Sequence, residues 1–222
     1  MKRYLPFVIV ALVALATIGS GAMLYRAKRP HVLSIPENKT LSAKGDAESP
    51  HIRGNPEAPV TLEEYADFQC PPCGMFATFL GQLENEYDSR LRVVFRNFPL
   101  TMHEHAREAA LAAEAAGLQG RFWEMHDVLY REQETWSKAP NVRELFESYA
   151  GTIGLDVQKF KKDVDGEQVK ARVEADRQRG QSLGIQITPT LFINNQPLDP
   201  KDKSPEGIRA EINAALQKKS QT

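Results

Sequence analysis

Both cysteines of the chain stand in one short stretch, QCPPCG, at Cys70 and Cys73 with Pro71 and Pro72 between them. Two thiols at that spacing can close into a disulfide and reopen by exchange with a third thiol. The same spacing also serves half a zinc site or a loop staple. No second cysteine pair exists in the sequence to complete a zinc site. His103 and His105 stand two apart at an expected helix start, where side chains diverge, so metal binding is not expected. A bridge closing so short a loop restrains little unfolded-state entropy, which argues against a purely structural disulfide.

These thiols need an element that presents one and hides the other. VTLEEYADF, residues 60–68, reads as a strand running into CPPCGMFATFLGQLENEY, whose Phe76, Phe79, Leu80, Leu83 and Tyr87 recur at helical spacing. Cys70 then sits at the helix N-cap, where unpaired amides and the macrodipole favour a thiolate, and it is the expected nucleophile. Cys73, one turn deeper, is the expected resolving thiol. Pro72 removes an amide donor that would otherwise stabilise the Cys70 thiolate, whereas the donor lost at Pro71 is poorly aimed at a cap side chain. The Cys70 pKa is therefore expected to fall only moderately.

LRVVFRNF, residues 91–98, is nearly continuously apolar, as in a strand covered on both faces, and the fold class is α/β. A helical insertion is expected over about 100–184, with Thr101 and Glu104, and again Asn141 and Glu144, spaced as capping boxes. Strand character returns at ITPTLFINNQPLD, residues 187–199, and a last helix opens with Ser204 as N-cap and Pro205 in its first turn. Near the other end, Tyr4 to Tyr25 is uncharged and long enough to span a bilayer. It reads as a retained transmembrane anchor, with a cleaved secretory signal as the alternative, since Ser20-Gly21-Ala22 suits cleavage. The expected organisation is an anchor or signal at 1–25, a linker at 26–58, the catalytic domain at 59–217 and a tail at 218–222. With 28 basic and 29 acidic residues the formal charge is −1, so no long-range field recruits nucleic acid.

EYADFQCPPCGMF, FRNFPL, GRFWEMHDVLY and GIQITPTLFIN, in that order, resemble the DsbA-like, thioredoxin-fold disulfide oxidoreductases over roughly residues 52–217. The resemblance implies a thioredoxin fold interrupted by a helical domain, with Pro189 in a cis peptide bond facing the cysteine pair. Thr188 and Pro189 would then bind an extended substrate through main-chain groups. Glu64 alternates onto the strand face of Val60, Leu62 and Ala66, six residues before Cys70. The resemblance gives it the role of exchanging a proton with the resolving thiol from a buried position. Glu63, on the other face, is expected in solvent, and Asp67 is expected to organise the loop. Trp123, Met125, His126 and Leu129 read as packing within the insertion, KFKKD and VKARVEADRQR as solvated helix faces, and Trp136 as a residue near the substrate face without an assigned role.

The expected activity is oxidation of substrate dithiols outside the cytoplasm, in the bacterial cell envelope, with no cofactor and no metal. Reduction or isomerisation by the same exchange is the nearest alternative, and a tethered peptide-binding module is a different class. Cysteine-containing exported proteins and a redox recycling partner, soluble or in the membrane, are the expected partners. A potential below the ≈ −120 mV of DsbA itself would follow from the moderate Cys70 pKa.

Overall fold

A computed structural model describes residues 51–220. The apolar stretch at Tyr4 to Tyr25 and most of the expected linker lie outside the described residues. Among the described residues no helix is long and apolar enough to cross a membrane.

One five-stranded sheet carries the architecture, in the order β1-β3-β2-β4-β5, with β1 at His51–Gly54, β2 at Val60–Ala66, β3 at Leu91–Asn97, β4 at Thr190–Ile193 and β5 at Gln196–Pro197. β2 and β3 are parallel, and α1, Pro71–Tyr87, makes the crossover between them. The other pairings are antiparallel. Phe76, Leu80, Leu83 and Tyr87 form the buried stripe of α1, as their spacing predicts. Between β3 and β4 come six helices: α2 at Ala106–Gly117, α3 at Phe122–Arg131, α4 at Gln133–Trp136, α5 at Val142–Thr152, α6 at Val157–Val164 and α7 at Glu167–Ser182. The last helix, α8, spans Pro205–Ser220, and Ser204 Oγ accepts from Gly207 N at 3.1 Å. The α/β fold with its helical insertion is thus present.

The apolar interior has two parts. Val60, Leu62, Val93, Leu191 and Ile193 of the sheet meet α1 and α8 in one. In the other, Phe68 and Phe95 meet the alanine-rich α2 together with Met125, Leu129, Trp136 and Phe146. Alanines bring α2 close to its neighbours, which is why a helix so poor in large side chains can sit at the centre of the insertion.

Several boundaries differ from expectation. β1 lies in the stretch read as linker, because its four residues draw their order from antiparallel pairing with β3 rather than from a local pattern. α8 continues to Ser220, through the start of the expected tail. No helix starts at Thr101: the chain loops until Ala106, with His105 at the N-cap, because the Leu100 amide is held by Asp67. Asn141 does cap α5, but its side chain bonds Glu144 at 2.9 Å rather than the helix amides. α7 is not simply a solvated face, since Val169, Val173, Asp176 and Gly180 are buried and Asp176 pairs with Arg96 at 3.0 Å.

Gly180 marks where the insertion returns to the sheet. A Cβ there would stand 2.6 Å from two ring carbons of Phe98 and 3.1 Å from Tyr65. Gly180→Ala gains helix propensity of about 1 kcal/mol but overpacks at a cost of roughly 1–3 kcal/mol. The expected result is a net loss of about 1 kcal/mol in urea denaturation; an unchanged midpoint would mean that the Phe98 ring simply turns aside.

Candidate active site

The strand-to-helix junction is built around Asp67. Its fully buried carboxylate accepts from Gln69 N at 2.7 Å and Leu100 N at 2.8 Å and pairs with His103 Nδ1 at 2.8 Å. Its carbonyl accepts from Cys70 N at 3.1 Å and from Tyr130 Oη at 3.4 Å. The expectation that Asp67 organises the loop is met, and one of the two histidines weighed for metal binding is part of that organisation. The insertion adds a second clamp, Gln133, whose Nε2 donates to Phe68 O at 2.6 Å and Cys70 O at 3.0 Å. Gln133 carries no signal in the sequence that would have singled it out.

Cys70 occupies the N-cap of α1, with Pro71 and Pro72 exposed in the first turn. Its sulfur receives no full capping hydrogen bond from the helix. Cys70 Sγ donates to Thr188 O at 3.4 Å, and the Thr188–Pro189 peptide is cis. The four residues Cys70, Cys73, Thr188 and Pro189 therefore meet at one place, as the motif order requires. Both cysteines are free thiols, so the structure is of the dithiol form.

The two sulfurs are electrostatically unequal. The Cys70 pKa is lowered to about 6, chiefly because the Cys73 thiol hydrogen-bonds to it, with desolvation opposing. The Cys73 amide contributes less, consistent with a helix start thinned of donors by proline. Cys73 is fully buried, and burial, followed by its donation to Cys70 and the nearby Glu64, pushes its thiol far up. Glu64 is 1% exposed, lies in register between Phe95 and Leu191, and has no hydrogen-bond partner on either oxygen. Its pKa is raised to about 8, by burial first and by the Cys70 charge second, so it holds a proton at neutral pH.

Glu63 is not in solvent as expected. It is 5% exposed and pairs with Arg96 at 2.9 Å, because α7 covers the sheet face that alternation would leave open. Trp136 is likewise interior, with Nε1 donating to Leu129 O at 2.6 Å, and does not reach the substrate face. Met125, His126 and Leu129 pack as expected, His126 edge-on to Phe95 with ring centroids 5.1 Å apart. Among the described residues no His, Cys, Asp and Glu cluster has metal-site geometry.

The family model described as thioredoxin matches residues 46–214, most of the chain. The chain belongs to the thioredoxin family. Among solved structures this thioredoxin-family protein is similar to oxidised BdbD from Bacillus subtilis, 25% identical with a TM-score of 0.67, over 76% of this chain and 93% of that one. It is also similar to DsbA2 of Pseudomonas aeruginosa, 27% identical with a TM-score of 0.54, over 68% and 84%. Wolbachia pipientis alpha-DsbA1, at 19% identity, 75% and 90% coverage and a TM-score of 0.64, shares the fold. Its solved neighbours of the DsbA type thus share its thioredoxin fold. Curated relatives include the Na(+)/H(+) antiporter NhaA 1 of Mycolicibacterium gilvum, 38% identical over 68% of this chain but 24% of the antiporter. NhaA 3 of Salinispora tropica is 40% identical over 68% of this chain and 22% of its own length. The chain spans about a quarter of these relatives.

Two titrations follow. In the reduced protein, iodoacetamide should alkylate Cys70 with a rate midpoint near pH 6 and leave Cys73 unmodified; a midpoint at the ordinary cysteine value of about 8.5 would contradict the described environment. Glu64 gives a stability signature instead. Its raised pKa means the folded state keeps a proton that the unfolded state has lost, so its contribution falls as pH rises from about 4.5 to about 8. Cys70 acts oppositely, adding stability above about pH 6 as its depressed pKa releases a proton early. The stability of the wild type minus that of Glu64→Gln should therefore drop between pH 5 and 8, by on the order of 3–5 kcal/mol. A flat difference would mean that Glu64 is ionised when folded.

Proposed function

We propose that this protein oxidises substrate dithiols outside the cytoplasm, in the bacterial cell envelope, through a Cys70–Cys73 disulfide. A substrate thiolate attacks Cys70 Sγ, the S–S bond breaks, and its electron pair moves to Cys73 Sγ. Glu64, protonated at neutral pH and next to Cys73, delivers the proton that turns this buried thiolate into a thiol. The second substrate thiol, as thiolate, then attacks the substrate sulfur of the mixed disulfide and displaces Cys70 as thiolate. The substrate loses two electrons and the cysteine pair gains them. The Thr188 carbonyl, 3.4 Å from Cys70 Sγ, is placed to take a substrate amide beside the reacting sulfur. Met75 and Ile187, 69% and 60% exposed, neighbour the two halves of the site in sequence and offer apolar contact to an unfolded chain.

The observation that carries the direction is the ionisation of Cys70. A lowered Cys70 pKa stabilises the dithiol and so makes the disulfide a better oxidant than an ordinary cysteine pair. Cysteine-containing exported proteins are the proposed substrates, with a soluble or membrane acceptor reoxidising the pair. The residues from Tyr4 to Tyr25 would anchor the domain or export it. No cofactor takes part in the proposed exchange.

Equilibration with glutathione buffers, read by mass tagging of Cys70 and Cys73, should give a potential between about −200 and −120 mV. A value near the ≈ −270 mV of thioredoxin would replace oxidation by reduction.

A further inference from the structure

Lys203 lies between the 3-10 turn at Pro200–Asp202 and α8, well outside the sequence motifs that announce the cysteine pair. Its Nζ donates to Pro189 O at 2.7 Å. The preceding carbonyl, Thr188 O, is the one in contact with Cys70 Sγ at 3.4 Å. Two successive carbonyls of the cis-proline segment thus hold the nucleophilic sulfur and a half-buried ammonium. The partner of that ammonium is a neutral carbonyl, so its charge remains available to the site.

The site has use for it. When a thiolate bonds to Cys70 Sγ and the Cys70–Cys73 bond breaks, the electron pair settles on Cys73, which is fully buried and lies beside Glu64. Burial alone opposes that charge, and no proton has yet moved at the moment of bond breaking. We propose that the Lys203 ammonium, fixed on Pro189 O, is the counter-charge for the Cys73 thiolate as the disulfide opens. It is a charge-positioning residue of the exchange, and this role rests on Cys70 being attacked and Cys73 leaving. The influence is visible in the lysine: burial lowers its pKa, and the Cys73 charge works to raise it. Titratable groups on the adjoining elements include Cys70, Glu84 and Glu86 at or on α1, Glu63 and Glu64 on β2, Asp199, Lys201 and Asp202 at the turn, and Glu206, Arg209 and Glu211 on α8. Asp199 and Lys201 pair with each other at 3.3 Å.

The test measures the rate at which dithiothreitol opens the disulfide of the oxidised full chain, by acid quench and thiol tagging, across pH 6 to 11. Lys203→Met, which keeps the alkyl stem, should slow opening about tenfold at pH 7. The ratio of wild type to variant should shrink toward one in the alkaline range, where the wild-type ammonium is lost. Lys203→Arg should keep the wild-type rate at pH 7 and hold it further into that range, since guanidinium does not titrate there. An equal rate for Lys203→Met at pH 7, a ratio that does not change with pH, or an arginine variant as slow as the methionine one would overturn the role. A wild-type disulfide that dithiothreitol does not open would instead sink the exchange assignment on which it rests, and the role with it.

Discussion

A carboxylate with no access to water must find donors, and Asp67 finds them in three separate places. It holds Gln69 of the junction, Leu100 after β3 and His103 of the following loop, while its own carbonyl takes the Cys70 amide. These contacts are obligatory because a buried charge left unpaired is strongly destabilising. The geometry of the nucleophile is thereby tied to the turn that leads into the insertion. Gln133 repeats the tie from the opposite side. The helical insertion is therefore part of the active-site wall, and Cys70 cannot shift without disturbing hydrogen bonds on both sides of it.

Chemical asymmetry is then a matter of neighbours. The two sulfurs belong to the same helical turn, yet one faces a donor thiol and the start of a helix while the other faces apolar side chains and Glu64. Prolines at the first two helical positions limit what the helix itself contributes to Cys70. The remaining stabilisation comes mainly from Cys73, so the pair tunes itself: the buried Cys73 thiol hydrogen-bonds to the Cys70 sulfur and favours its ionised form.

Much of this was legible in the sequence because it is local. A strand that runs into a helix with a cysteine at the junction is written in adjacent residues, and alternation along β2 places Glu64 on the covered side. Glu63 departs from expectation for a related reason: alternation assigns a residue to a face but does not say what covers that face, and α7, which covers it, is distant in sequence. β1 had too few residues to show a pattern and owes its existence to β3. The helix expected at Thr101 lost to a tertiary contact, since Asp67 claims the Leu100 amide. Gln133, Trp136 and Lys203 act through contacts across the chain, and neither residue type nor spacing announces such contacts.

The sheet also ends abruptly. β5 has only two residues, one of them Pro197, which has no amide to offer a neighbour. Beyond it there is little unpaired backbone on which another chain could extend the ladder. A domain proposed to meet unfolded polypeptides is exposed to strands seeking partners, and a long bare margin would collect them indiscriminately. On the β5 side the blunt margin gives an extended chain little to pair with, so this edge of the sheet resists indiscriminate strand addition.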